Sequence, residues 1–131
     1  MRIINSFDVL GAMRRAVEGK PAGYVQEGHC VNHDEVKPIC LVGTLLADLL
    51  GGIEHIPPTG TVEYTAVILR SEGHAQFTRS AFIAMKTAQI LQDAGSTWSE
   101  AHSAAEAASC AHDRLAGLGY DFFAGDNNEE I

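Results

Sequence analysis

Between His29 and Gly43 the chain reads HCVNHDEVKPICLVG, which packs two histidines, two cysteines and two acids into a dozen positions. Two chemistries fit those residue types. Cys30, His33 and Cys40 offer thiolate and imidazole donors of the kind that hold zinc tetrahedrally, with His29 or a carboxylate as fourth ligand. The Cys30-x2-His33 half has knuckle spacing, whereas Cys40 lacks a close second partner. Alternatively, Cys40 stands at the start of an apolar helix, where unpaired amides favour a thiolate. His33 or His29 would then act as base, oriented by Asp34 or Glu35, as in a Cys-dependent hydrolase. The plain alternative to both is a polar turn followed by a small buried hydrophobe, the commoner fate of an unoxidised cysteine.

Both chemistries depend on what surrounds the segment. Ser6 reads as a helix cap, with Asp8 in the first turn and Val9, Leu10, Met13, Ala16 and Val17 at helical spacing until Gly19 and Pro21, a helix over about 7–18. The pairs Tyr24-Val25 and Cys30-Val31, separated by Gly28, suggest a small antiparallel hairpin, with a third strand near Val36. From Ile39 to Leu50 the chain is too densely apolar for a surface helix and stops at Gly51-Gly52. Residues 59–71 mix β-branched content with a helical face at Val62, Ala66 and Leu69, and the reading favours helix. Thr78 caps the next helix, which ends at Gly95. Thr97 and Glu100 form a capping box for an alanine-rich helix over 98–116. The expected fold is therefore mainly α (α+β): a single domain of about five helices with one antiparallel hairpin after the first, and a frayed acidic tail at 124–131.

Composition narrows the function. At 131 residues and 46% hydrophobic content, one domain with its own core is expected. No apolar run approaches the roughly 18 residues needed to span a bilayer, since Asp48 interrupts the longest. An acid and an asparagine inside the first apolar segment argue against a signal peptide. Three cysteines, an odd number, fit thiols in a reducing compartment, so a cytoplasmic location is expected. The net charge of −8, with only Arg14, Arg15 and Lys20 clustered, argues against nucleic-acid binding.

The segments GYVQEGHCVNHDEVKPICLVGTLLADLLG and AQILQDAGSTWSEAHSAA, in that order, resemble a family of small uncharacterised proteins of actinobacteria and their phages. Cys40, Gly43, Gln89, Gln92, Asp93, Gly95 and Trp98 carry the likeness. It implies an accessory protein inside a bacterial host cell and transfers no activity or functional residues.

Other chemistry-bearing residues have structural readings. His102, Cys110 and His112 share no single helical face. Gln89, Gln92 and Asp93 read as a helix-end network, and no phosphate-binding loop is present. Trp98 at a helix start reads as a core or interface anchor. The expectation is a non-enzymatic domain that binds a host protein or a small ligand, with Tyr24, His29 and Trp98 as binding residues. No cofactor or membrane is expected, and a homodimer is plausible through the alanine-rich face of 98–116 or exposed parts of the central helix. The alternative from another class is the hydrolase of Cys40, His33 and Asp34.

Overall fold

Helix starts are decided locally, because the first amides of a helix have no partner within it and a preceding side chain must accept them. In the computed structural model, which describes residues 1–25, 32–116 and 122–123, five helices begin in this way. Helix α1 (Ser6–Glu18) is capped by Asn5, one residue earlier than expected: its side chain accepts the Asp8 amide, and Asp8 accepts the Asn5 amide. Ser6 lies inside the helix and donates from Oγ to Asp113. Helix α2 (Leu41–Leu50) starts at Cys40, whose sulfur accepts the Gly43 amide, and ends at left-handed Gly51.

The ambiguous segment is helical. Thr61 caps α3 (Val62–Ser71), Glu63 sits in its first turn, and Val62, Thr65, Ala66 and Leu69 are buried at helical spacing. Thr78 caps α4 (Arg79–Asp93), and the Thr97–Glu100 box opens α5 (Trp98–Ala116), both where expected.

The small sheet departs from expectation. Its two strands, β1 (Arg2–Ile4) and β2 (Ala75–Phe77), are parallel, pairing Arg2 with Ala75 and Ile4 with Phe77. The antiparallel hairpin is therefore corrected. Tyr24 and Val25 belong to no strand, and residues 26–31, including Cys30 and Val31, lie outside the described residues. Downstream, His33 and Pro38 form an isolated antiparallel bridge, and Val36 is 85% exposed rather than in a strand. A parallel pair needs a long crossover, and three-residue strands are too short to show alternation, so neither strand is visible to periodicity.

Beneath these elements lies one hydrophobic cluster that takes in Ile4, Met13, Leu45, Leu69, Phe77, Phe82 and Trp98. Phe123 stacks on Phe82 with ring centroids 3.8 Å apart, and its amide bonds to Phe77. Helix α5 runs antiparallel to α1. The Ser6–Asp113 bond ties their opposite ends, and Lys20, just past α1, reaches Trp98 at the start of α5. At the far end of α2 the Arg2 guanidinium donates to the Leu49 carbonyl, where a cation suits the helix dipole. No described helix is long and apolar enough to cross a membrane.

Candidate functional site

The segment 32–43 is a junction of hydrogen bonds. Asn32, almost fully buried, donates from Nδ2 to the Pro57 carbonyl at 2.9 Å and to Thr65 Oγ1 at 3.1 Å. Its own amide bonds to Pro58, and its carbonyl accepts the Ile39 amide. Cys40, 1% exposed, donates its thiol toward Asn32 Oδ1 at 3.6 Å while its sulfur accepts the Gly43 amide at 3.2 Å. The first amide of α2, that of Leu41, donates to Gln92 Oε1 at 2.7 Å. Buried amides with no water to serve them must find such acceptors.

His33 is buried too, and its ring is occupied. Nδ1 accepts the Glu35 amide at 3.0 Å, and Nε2 faces the Ile56 carbonyl, so Nε2 carries the proton. With both nitrogens bonded to backbone, the ring has no lone pair left for the Cys40 thiol, which bonds to Asn32 and Gly43. Asp34 does not orient the ring. Its Oδ1 accepts the amides of Lys37 at 2.8 Å and Val36 at 2.9 Å, which hold its carboxyl below the usual aspartate range. This turn carries Glu35 at φ 72°, a left-handed conformation uncommon for a residue with a side chain. Of the zinc set, Cys30 lies outside the described residues. Among those described, no group of three His, Cys, Asp or Glu is placed to hold a metal.

The expected binding residues fare differently. His29 lies outside the described residues, but Tyr24 and Trp98, 74 positions apart, meet edge to face with centroids 4.9 Å apart and planes at 86°. Their backbones are joined as well, the Trp98 amide donating to the Tyr24 carbonyl at 3.0 Å. That bond satisfies the first amide of α5 and fixes Tyr24 against the helix start. The Lys20 ammonium lies 4.8 Å from the Tyr24 centroid and 5.6 Å from that of Trp98, within cation–π range of both.

Together Val17, Lys20, Pro21, Tyr24, Trp98 and Ser99 line a pocket of about 290 Å³. Its walls are mainly apolar, and its lining residues carry one ammonium, that of Lys20, and two hydroxyls, those of Tyr24 and Ser99. Trp98 is 1% exposed, and its indole Nε1 is buried with no hydrogen-bond partner among the described residues.

Sequence reasoning missed Lys20, Asn32 and the capping role of Gln92. Lys20 sits just beyond a helix end, where a basic residue is routine, and nothing local shows that an aromatic pair lies beneath it. Asn32 lies in a polar run that reads as solvated, although its side chain is interior. Compared with known proteins, the chain matches no family model, no curated protein and no solved structure.

Proposed function

We propose that the chain is a non-enzymatic binding domain whose site is the pocket walled by Tyr24 and Trp98 and headed by Lys20. The carrying observation is one cation held over two packed aromatic rings at the mouth of a mainly apolar pocket. Such sites take ligands whose apolar body fills the cavity while a few polar groups set orientation. Here the orienting group is an ammonium, so the matching ligand is small, apolar and carries one carboxylate. In the setting that the sequence resemblance implies, this is an accessory protein of an actinobacterial cell or its phage.

The hydrolase alternative has less support. It asks for an accessible thiol and a histidine with a vacant nitrogen, whereas Cys40 is buried and the His33 ring is bonded on both sides.

Trp98 is the sole tryptophan, so intrinsic fluorescence reports on the pocket wall itself. Benzoate and hexanoate should produce a saturable change in emission, the corresponding amides much less, and Lys20→Met should abolish the difference between acid and amide. Equal responses to acids and amides, or none to either, would overturn the reading.

A further inference from the structure

On the opposite stretch of the α1–α5 seam lies a second concavity, of about 300 Å³, lined by Phe7, Leu10, Gly11 and Arg14 from α1 and by His102, Glu106 and Cys110 from α5. The α1 residues are spaced i, i+3, i+4 and i+7, a single stripe along the helix. Two features of this stripe have no use among the described residues. Phe7 is 72% exposed, although the ring is large enough to be a core residue. Gly11 stands mid-helix, where glycine is less favourable than alanine. Nothing in the fold requires it: a Cβ there would meet only the far end of the flexible Arg15 side chain, at 3.7 Å. A projecting ring and a vacant hollow thus lie one turn apart on the same face.

Charge follows the same logic. Arg14 and Glu106 share the groove, yet neither has an ion-pair partner among the described residues. Knob, hollow, cation and anion on a single surface are what a two-fold interface needs, because each feature meets its complement on the other copy.

We propose that the groove between α1 and α5 is occupied by a second copy of this chain. In that arrangement two α1 helices cross about a two-fold axis, and Phe7 of each protomer enters the hollow over Gly11 of the other. Arg14 of each faces Glu106 of the other. This surface is separate from the Lys20 pocket, and the inference stands or falls independently of the ligand reading.

Sedimentation equilibrium on the whole chain tests it. The wild type should self-associate to a dimer and no further, and Phe7→Ser should raise the dissociation constant about thirtyfold or more, as removal of a central aromatic does. Gly11→Leu separates association from folding: it fills the hollow and favours the helix, so the thermal midpoint of the dilute protein should rise while dimerisation is lost.

The charges allow a stricter check. R14E and E106R should each be monomeric alone, since each homodimer would oppose like charges twice. Mixed in equal amounts they should form a heterodimer, because both cross-pairs then become opposite in sign. A wild type that stays monomeric at about 100 µM, or single variants that dimerise as well alone as when mixed, would overturn the proposal.

Discussion

Gly43 and Asn32 meet backbone against backbone: a Cβ on Gly43 would lie 2.0 Å from the Asn32 carbonyl oxygen and 2.7 Å from its carbon. Both partners are fixed. Gly43 is in the first turn of α2, and Asn32 is bonded to Pro57, Pro58, Ile39 and Thr65. No rotamer change can relieve an overlap between a Cβ and a carbonyl. Gly43→Ala should therefore destabilise by about 3 kcal/mol, the upper end for overpacking. In urea denaturation that appears as a lower midpoint with an unchanged slope. A loss below about 1 kcal/mol would mean that the 32–33 segment is free to move away from the helix.

The thiol at this junction is buried and hydrogen-bonded, and its reactivity should show it. Cys40 is buried with its sulfur bonded to the Gly43 amide, whereas Cys110 is exposed on α5. In dilute native protein, iodoacetamide should modify Cys110 readily and Cys40 only as the chain unfolds, with sites resolved by peptide mass spectrometry. Cys40→Ser keeps an acceptor at the cap, while Cys40→Ala removes it and should cost about 1 kcal/mol more. Native labelling of Cys40 faster than in an unfolded control would restore the catalytic-thiol reading.

The contrast between this junction and the helices shows what can be read from sequence. Capping is local, so Thr78, the Thr97–Glu100 box and Gly51 mark their helix ends within a few residues. The ambiguity over 59–71 also resolves through a local feature, the Thr61 cap. What could not be read are pairings set by the rest of the fold. Arg2–Ile4 finds Ala75–Phe77 across most of the chain. His33 and Cys40 are close in sequence, yet the His33 ring turns to Ile56, and a carboxamide from Asn32 takes the place beside the thiol. Tyr24 and Trp98 stand out in the sequence as expected binding residues, Trp98 also as a core or interface anchor, but their pairing under Lys20 requires the antiparallel packing of α1 and α5.

Trp98 offers a way to separate packing from hydrogen bonding. Its ring is almost fully buried against Tyr24, but Nε1 has no partner among the described residues, so the indole N–H contributes a desolvation cost without a compensating bond. Trp98→Ala should cost about 3–5 kcal/mol through the cavity it leaves. Trp98→Phe should cost well under half of that, since it removes the unpaired N–H along with some volume. Thermal melts followed by circular dichroism compare the two. Equal losses would show that the N–H has a partner in solution.

Acid stability should depend on three carboxylates whose proton affinities are lowered in the fold. Asp34 is held down by the Lys37 and Val36 amides, and Glu100 by the Thr97 amide and hydroxyl. For Glu63, burial alone would raise the value, but the Lys86 hydrogen bond at 2.8 Å and its own backbone amide outweigh it. A group whose folded pKa is depressed stabilises the fold above its unfolded value, and that contribution disappears as pH falls through the folded value. The stabilisation should therefore be complete at neutral pH, begin to fall near the ordinary carboxylate values of 3.8 for Asp and 4.5 for Glu, and be lost below the folded ones. Asp34→Asn combined with Glu100→Gln keeps the acceptor oxygens but removes two of the charges. This variant should be less stable than wild type at pH 7, show a shallower decline on acidification and converge with wild type at about pH 2. Urea midpoints measured across that range test the sign, and a gap that widened toward low pH would show that the depressed carboxylates are not the source.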